Sequence, residues 1–363
     1  MSVPPETPAA RRRATTKRVI QALVSVALVV AIFVYAIPRI ADYHEVWRTM
    51  ADLTPLELSS LIALMAFNLL TYWLANMAAL PKLRLGQSAV VTQTTTSVAN
   101  TVPAGGAVAV GLTYQILDSW GFSRSQVSLY VLVTGIWNVF LKLGLPVVSL
   151  GMLAITGQLT GALVLAALVG VLVLLAAITL FGLLLWKKAL ARRIGSRLGR
   201  VVSWLRRLAR RQPVDGWGDA AVRFRQQTIA LVAGRWPWLT LTTVASHLAL
   251  YLVLLFSLRH VGASEHEVSW AQVLAVFAFG RLISALPITP GGLGVIELGY
   301  IGGLVAAGGN EPQVVAAVLL FRVLTYGVQI PLGGFTYLIW RGKRSWRLAP
   351  SGETELPSAV AAE

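Results

Sequence analysis

Hydrophobic positions in this chain come in long unbroken runs. They show neither the alternation of exposed strands nor the one-sided stripe of soluble helices. Runs at 19–37, 55–80, 127–150, 163–186, 239–258 and 314–340 each supply about the 20 apolar residues that a helix needs to cross a bilayer. Two further stretches, 86–117 and 270–308, are apolar but interrupted by Pro103-Ala104-Gly105-Gly106 and Pro290-Gly291-Gly292. The pieces on either side hold about 14 to 17 residues, or roughly 20 to 26 Å of helix, which is short for a span. They read as paired half-helices or as steeply tilted helices. The pattern predicts an all-α polytopic membrane protein with about 6–8 transmembrane helices plus re-entrant or half-helices.

Composition agrees. Of 363 residues, 56% are hydrophobic and 13% charged, well below the charged share of soluble domains. There is no cysteine, which excludes disulfides, thiolate metal sites and cysteine nucleophiles. The formal charge of +16 would suggest nucleic acid on a soluble protein. Here it reads as orientation instead, because 24 of the 31 Lys/Arg fall in segments that the spans place on one side. The opposite loops carry Asp42, Glu45, Asp52, Glu265 and Glu267. Both termini are therefore expected in the cytoplasm of a bacterial cell, with the chain multi-pass in its inner membrane and no nucleic acid partner. The first run ends in Pro38-Arg39 without a small-residue cleavage site, so it reads as an uncleaved anchor.

The domain reading is a basic N-terminus (1–18), an anchor helix (19–37), a first membrane repeat (52–150), a linking helix (161–186), a basic cytoplasmic amphipathic segment (187–235), a second membrane repeat (236–341) and a disordered tail (342–363). Within the basic segment, Leu190, Ile194, Leu198, Val201, Val202, Leu205 and Leu208 recur at helical spacing with arginines between them. That segment either only sets topology or lies at the membrane surface against anionic headgroups.

The two Gly-rich clusters lie 186 residues apart, and Gln87/Gln272, Tyr114/Tyr300 and Pro146/Pro331 match at offsets of 185 to 186. Element order agrees with this spacing, which points to a duplication. Following the chain through the bilayer makes the repeats inverted, with the two split segments entering from opposite sides. Gly/Pro-interrupted helices in matching positions mark a transport site near the midplane. The polar run from Thr92 to Ser97, with Asn100 and Thr101, suggests a wet cavity there.

Charges within spans are costly and are functional candidates by default. They are Lys142, Arg281, Glu297 and Arg322. Glu297 is expected either to pair with Arg281 or Arg322 and close the fold, or to neutralise one arginine or meet a cationic headgroup while the other arginine keeps a free face for a lipid phosphate. Backbone N–H groups after Pro290-Gly291-Gly292 would add an anion-binding helix end. The positions matching Arg281, Glu297 and Arg322 in the first half are Thr96, Gly111 and Trp137, so the charge is one-sided. The candidate substrate-binding set is Arg281, Glu297, Arg322, Pro290, Gly291, Gly292, Asn100, Gly105, Gly106 and Lys142. Catalytic motifs are missing: Gly292-Leu293-Gly294 fails the dinucleotide pattern and no phosphate loop exists. Glu265-His266-Glu267 reads as a solvated loop, and His247 and Tyr251 as packing residues. No metal, cofactor or enzymatic activity is expected.

Pro287-Ile288-Thr289-Pro290-Gly291-Gly292-Leu293-Gly294-Val295-Ile296-Glu297 resembles the signature of the lysylphosphatidylglycerol synthase transmembrane region, or flippase-like, family. Asn100-Thr101-Val102-Pro103-Ala104-Gly105-Gly106 is similar to its weaker upstream motif. Ala107-Val108-Ala109-Val110 stands where many relatives carry an acidic residue and an arginine, so family roles for charges there do not carry over. The resemblance covers 19–341 and implies the flippase-like part alone, without the soluble aminoacyl-transferase domain. It implies movement of an anionic, aminoacylated or polyprenyl-linked lipid between leaflets. The alternative is a non-transporting partner or regulator of an envelope glycolipid synthase. Oligomeric state is unreadable.

Overall fold

The computed structural model describes residues 43–102, 105–158, 161–208, 212–213, 215–285 and 289–343. The anchor 19–37, the basic N-terminus, Pro103-Ala104, Pro287-Ile288 and the tail beyond 343 lie outside them. The described residues form helices α1 (Tyr43–Ala51), α2 (Pro55–Ala79), α3 (Leu85–Thr101), α4 (Gly105–Ser119), α5 (Arg124–Ile155), α6 (Gly161–Trp186), α7 (Lys188–Leu208), α8 (Trp217–His260), α9 (Trp270–Ile283), α10 (Val295–Ala306), α11 (Glu311–Arg322) and α12 (Gln329–Gly342). A 3₁₀ turn at Pro290–Gly292 precedes α10, and a π turn at Val323–Gly327 joins α11 to α12. Among the described residues, five helical stretches are long and apolar enough to cross a membrane. They are the five runs that the sequence pattern places there.

Helix starts follow local capping chemistry. Thr54 and Glu57 close a reciprocal capping box ahead of α2, as do Ser123 with Gln126 at α5 and Ser269 with Gln272 at α9. Inside the helices, Pro146 interrupts α5 and Pro237 interrupts α8. The span expected at 239–258 is thus the second half of a longer helix that begins within the basic segment and passes through Pro237. Pro331 has no N–H to offer the Gly327 carbonyl, and the backbone widens into the π turn just before it.

Both split segments are helical hairpins. Val90 and Val91 of α3 share an apolar cluster with Ile116 and Leu117 of α4, so α4 returns to the level where α3 began. In the second hairpin Gly280 faces Tyr300, and Val276 faces Gly303. Gln272, near the start of α9, donates to the Ala307 carbonyl at the end of α10 at 3.4 Å. These registers select paired half-helices over tilted full spans.

The frame between the hairpins is the antiparallel pair α2 and α8. Ser60 Oγ lies 2.9 Å from His260 Nε2 near one end, and Asn68 donates to the Ser246 carbonyl at 2.7 Å at mid-length. Ala78 and Ala79 share an apolar cluster with Leu231 and Leu239 toward the other end. The base of hairpin α3–α4 sits at that last end, beside Leu80 and Leu83. The base of hairpin α9–α10 clusters with Leu258, Val261 and Val268 at the first. The hairpins therefore enter the bundle from opposite ends. Packing is reciprocal as well: α3 lies against α12, and α9 against α5.

Close approach of α3 and α12 depends on Gly333. A Cβ there would fall 2.2 Å from Ser97 Cβ and 2.4 Å from the Gln93 carbonyl oxygen. Gly333→Leu should therefore separate the two helices at a cost of roughly 1–3 kcal/mol and lower the thermal unfolding midpoint of detergent-purified protein. An unchanged midpoint would contradict the packing. Three hydroxyls of the polar run of α3 bond neighbouring helices, while both amide atoms of the buried Gln93 have no hydrogen-bond partner. Thr94 Oγ1 is 3.0 Å from Thr336 Oγ1, Ser97 donates to the Ile330 carbonyl at 3.1 Å, and Thr92 accepts from Asn76 at 2.8 Å. Hydroxyls that bond across helices satisfy one another without water.

The peripheral helices differ in kind. Leu165, Leu168, Leu172, Leu175 and Leu180 of α6 are exposed around the helix, a surface suited to lipid. Helix α7 docks on α8 through a seam of small residues at Ala191, Gly195 and Gly199. Leu198, Val201 and Trp204 on α7 remain exposed among its arginines.

Candidate functional site

The tips of the two hairpins meet inside the bundle. Tyr326, in the π turn, donates its hydroxyl to the Asn100 carbonyl at the tip of the first hairpin at 2.7 Å. The same ring lies against Gly291 at the tip of the second, where a Cβ would fall 2.2 Å from it. Gly291 has φ +60°, so glycine meets both a left-handed backbone and a contact that leaves no room for a side chain. Thr289 Oγ1 donates to the Leu293 carbonyl at 2.8 Å and closes the turn.

Glu297 sits in the first turn of α10 and is fully buried. Arg322 Nε, from the last turn of α11, donates to its Oε1 at 2.6 Å. The guanidinium also reaches the Gly291 carbonyl at 3.3 Å and lies 4.6 Å above the Tyr326 ring. Of the two pairings that the sequence leaves open, the structure has Glu297 with Arg322. Glu297 lies in the first turn of α10, where its charge suits the positive helix end, although its carboxylate makes no capping bond there. Glu297 Oε2 is buried without a hydrogen-bond partner.

Arg281, near the end of α9, has no carboxylate within ion-pairing distance among the described residues. Its Nη2 lies 3.4 Å from His247 Nε2, and its Nε is buried without an acceptor. His247 Nδ1 is 3.0 Å from the Thr243 carbonyl. An imidazole nitrogen facing a carbonyl carries the hydrogen, and Nε2, facing an arginine N–H, presents its lone pair to Arg281. Lys142 of α5 and Arg281 lie within range of each other's charge, and both lie within range of His247. Tyr72 of α2, Tyr300 of α10 and Arg322 also lie within range of Arg281. Helices α2, α5, α8, α9, α10 and α11 thus converge on one basic cluster, level with the hairpin tips.

Of the candidates read from the sequence, the structure brings Arg281, Glu297, Arg322, Lys142, Gly291 and Asn100 to this region. The Pro290–Gly292 turn shapes it through its backbone, and a Cβ at Gly292 would meet its own chain at Ile296. Gly105 makes the close turn of the first hairpin, with the Val98 and Ala99 carbonyl oxygens within 2.6 Å of where its Cβ would stand. Gly106 is exposed, and a Cβ there would meet nothing beyond its own helix. Trp137, which the sequence spacing aligns with Arg322, donates its indole N–H to Thr240 at 3.0 Å. His247 reads as a packing residue from its helix face and turns out to touch Arg281. Tyr326 and Tyr72 carried no sequence signal, since neither lies in a motif.

In the Glu265–Glu267 loop, Arg259 bonds Glu265, and the Ser264 backbone N–H donates to Glu267 at 2.7 Å. That bond holds the Glu267 carboxyl below the usual carboxylate range. Its carboxylate therefore ties the loop backbone. Among the described residues no cluster of three metal-binding side chains occurs.

A family model described as lysylphosphatidylglycerol synthase TM region matches residues 21–333. No curated protein matches the chain.

Proposed function

The chain belongs to the lysylphosphatidylglycerol synthase transmembrane-region family, and on that premise we propose that it moves lipid headgroups between membrane leaflets. The observation that carries this reading is the basic cluster held where two hairpins from opposite ends of the bundle meet. A headgroup reaching that depth from either end finds cations without a full set of counter-charges, while its acyl chains stay in lipid. The opposed hairpins are what an inverted duplication of the two halves would produce, and we read them so. The basic end of the bundle, with Lys82, Arg84 and α7, faces the cytoplasm in this proposal. The membrane is then a bacterial cytoplasmic one, the partners are anionic lipids, and the protein forms no covalent intermediate.

The test is leaflet-resolved lipidomics of a deletion strain complemented with variants. A lipid class should accumulate on one leaflet in the deletion, and the wild-type gene should restore it. Arg281→Ala should restore it less than Lys142→Ala, roughly tenfold or more below wild type, as expected for losing a charged hydrogen-bond donor, and Arg322→Ala should also restore it less, because it leaves the buried Glu297 unpaired. Restoration by Arg281→Ala at equal expression would remove the site assignment. An unchanged leaflet distribution, with an envelope enzyme lost from the membrane, would favour a non-transporting partner of that enzyme.

A further inference from the structure

The basic cluster is out of charge balance, and the imbalance limits which headgroup it can hold. Lys142, Arg281 and Arg322 bring three cations to one region, against the single carboxylate of Glu297 among the described residues. His247 adds no charge, because its Nε2 faces an Arg281 N–H and so carries no hydrogen. The surplus is two, and it has an address. Glu297 bonds Arg322, which leaves Lys142 and Arg281 as the uncompensated pair. The buried Nε–H of Arg281, without an acceptor, is a donor waiting for one. Unopposed cations at membrane depth are costly, so a ligand that supplies the missing negative charge is favoured over one that does not.

Building on the leaflet-exchange reading, we infer that the site selects lipids with a dianionic headgroup, a phosphomonoester or a diphosphate, held between Lys142 and Arg281. A phosphomonoester carries close to two negative charges at neutral pH and offers several acceptor oxygens. It can therefore oppose both cations and accept from Arg281 in the same pose. A phosphodiester such as phosphatidylglycerol carries one charge and leaves one cation unopposed. Lysyl-phosphatidylglycerol brings two ammonium groups against one phosphate and would add to the surplus. The charge balance of this chain thus disfavours the lipid from which the family takes its description.

The test uses full-length protein in proteoliposomes with trace fluorescent lipids that share acyl chains. Their headgroups are phosphatidic acid, phosphatidylglycerol and lysyl-phosphatidylglycerol. Phosphatidic acid should exchange between leaflets roughly tenfold or more faster than phosphatidylglycerol, with the lysyl lipid slowest. Lys142→Gln and Arg281→Gln each remove one of the two charges, and each should bring the ratio of the first two rates toward one. The lysine is only partly buried, so its variant keeps the test open if the arginine variant fails to fold. Equal rates for phosphatidic acid and phosphatidylglycerol would overturn the inference and leave leaflet exchange standing. No exchange of any lipid would remove both. Inorganic pyrophosphate that blocks phosphatidic acid exchange as well as excess phosphatidic acid does would assign the site to a free anion and overturn the lipid assignment.

Discussion

Replacing Glu297 with leucine is expected to be the most damaging single change in the described part of the chain. The carboxylate is fully buried, and its partner Arg322 is held by a 2.6 Å bond deep in the bundle. Removing one member of such a pair leaves the other charge unpaired, at a cost of roughly 3–5 kcal/mol. The loss would spread, because Arg322 also contacts the Gly291 carbonyl and the Tyr326 ring, and Tyr326 holds Asn100. Yield of monodisperse protein in detergent and its thermal midpoint should both fall sharply. The double variant Glu297→Leu/Arg322→Leu should be more stable than Glu297→Leu alone, since no buried charge is then left unpaired. A double variant no better than the single one would show that the pair is not what stabilises this region.

The second large effect is expected at Gly291. Valine there must adopt φ +60° and place its Cβ where the Tyr326 ring stands. A β-branched residue in the left-handed region costs on the order of 1–3 kcal/mol, and overpacking adds a similar amount. The tips of the hairpins should part, with loss of the Tyr326–Asn100 bond. Gly106→Ala, in the matching motif, is the informative contrast. Its Cβ would touch nothing, and alanine favours helix, so stability should hold or rise slightly. Thermal unfolding of the two variants side by side measures the difference. Equal midpoints would mean that the turn at Gly291 is not constrained as described.

The spans were legible in the sequence because hydropathy reports depth, and depth is what a helix must match. Broken helices were legible because Pro103-Ala104-Gly105-Gly106 and Pro290-Gly291-Gly292 cannot continue one. Depth does not give azimuth. Whether Glu297 would face Arg281 or Arg322 depends on how the turn at Pro290–Gly292 rotates α10, and no periodicity encodes that rotation. The Tyr326–Asn100 and Ser97–Ile330 bonds join residues more than 200 positions apart, so local pattern is silent on them. The threonine-rich run of α3 carries Thr92, Thr94 and Ser97, whose bonds to α2 and α12 no local pattern shows. His247 was hidden for a related reason, since a lone histidine on an apolar face gives no sign of the arginine across from it.

The central claim is that headgroups cross the membrane through the basic cluster between the hairpin tips. It is tested most directly by bleaching fluorescent phosphatidic acid with a membrane-impermeant reductant in vesicles carrying wild-type or Arg281→Gln protein. In protein-free vesicles only outer-leaflet fluorophores bleach. Wild-type protein should add a second phase that carries bleaching close to completion, and Arg281→Gln should slow that phase strongly at equal reconstitution. A single-phase decay with wild-type protein, or a second phase indifferent to Arg281, would contradict the account.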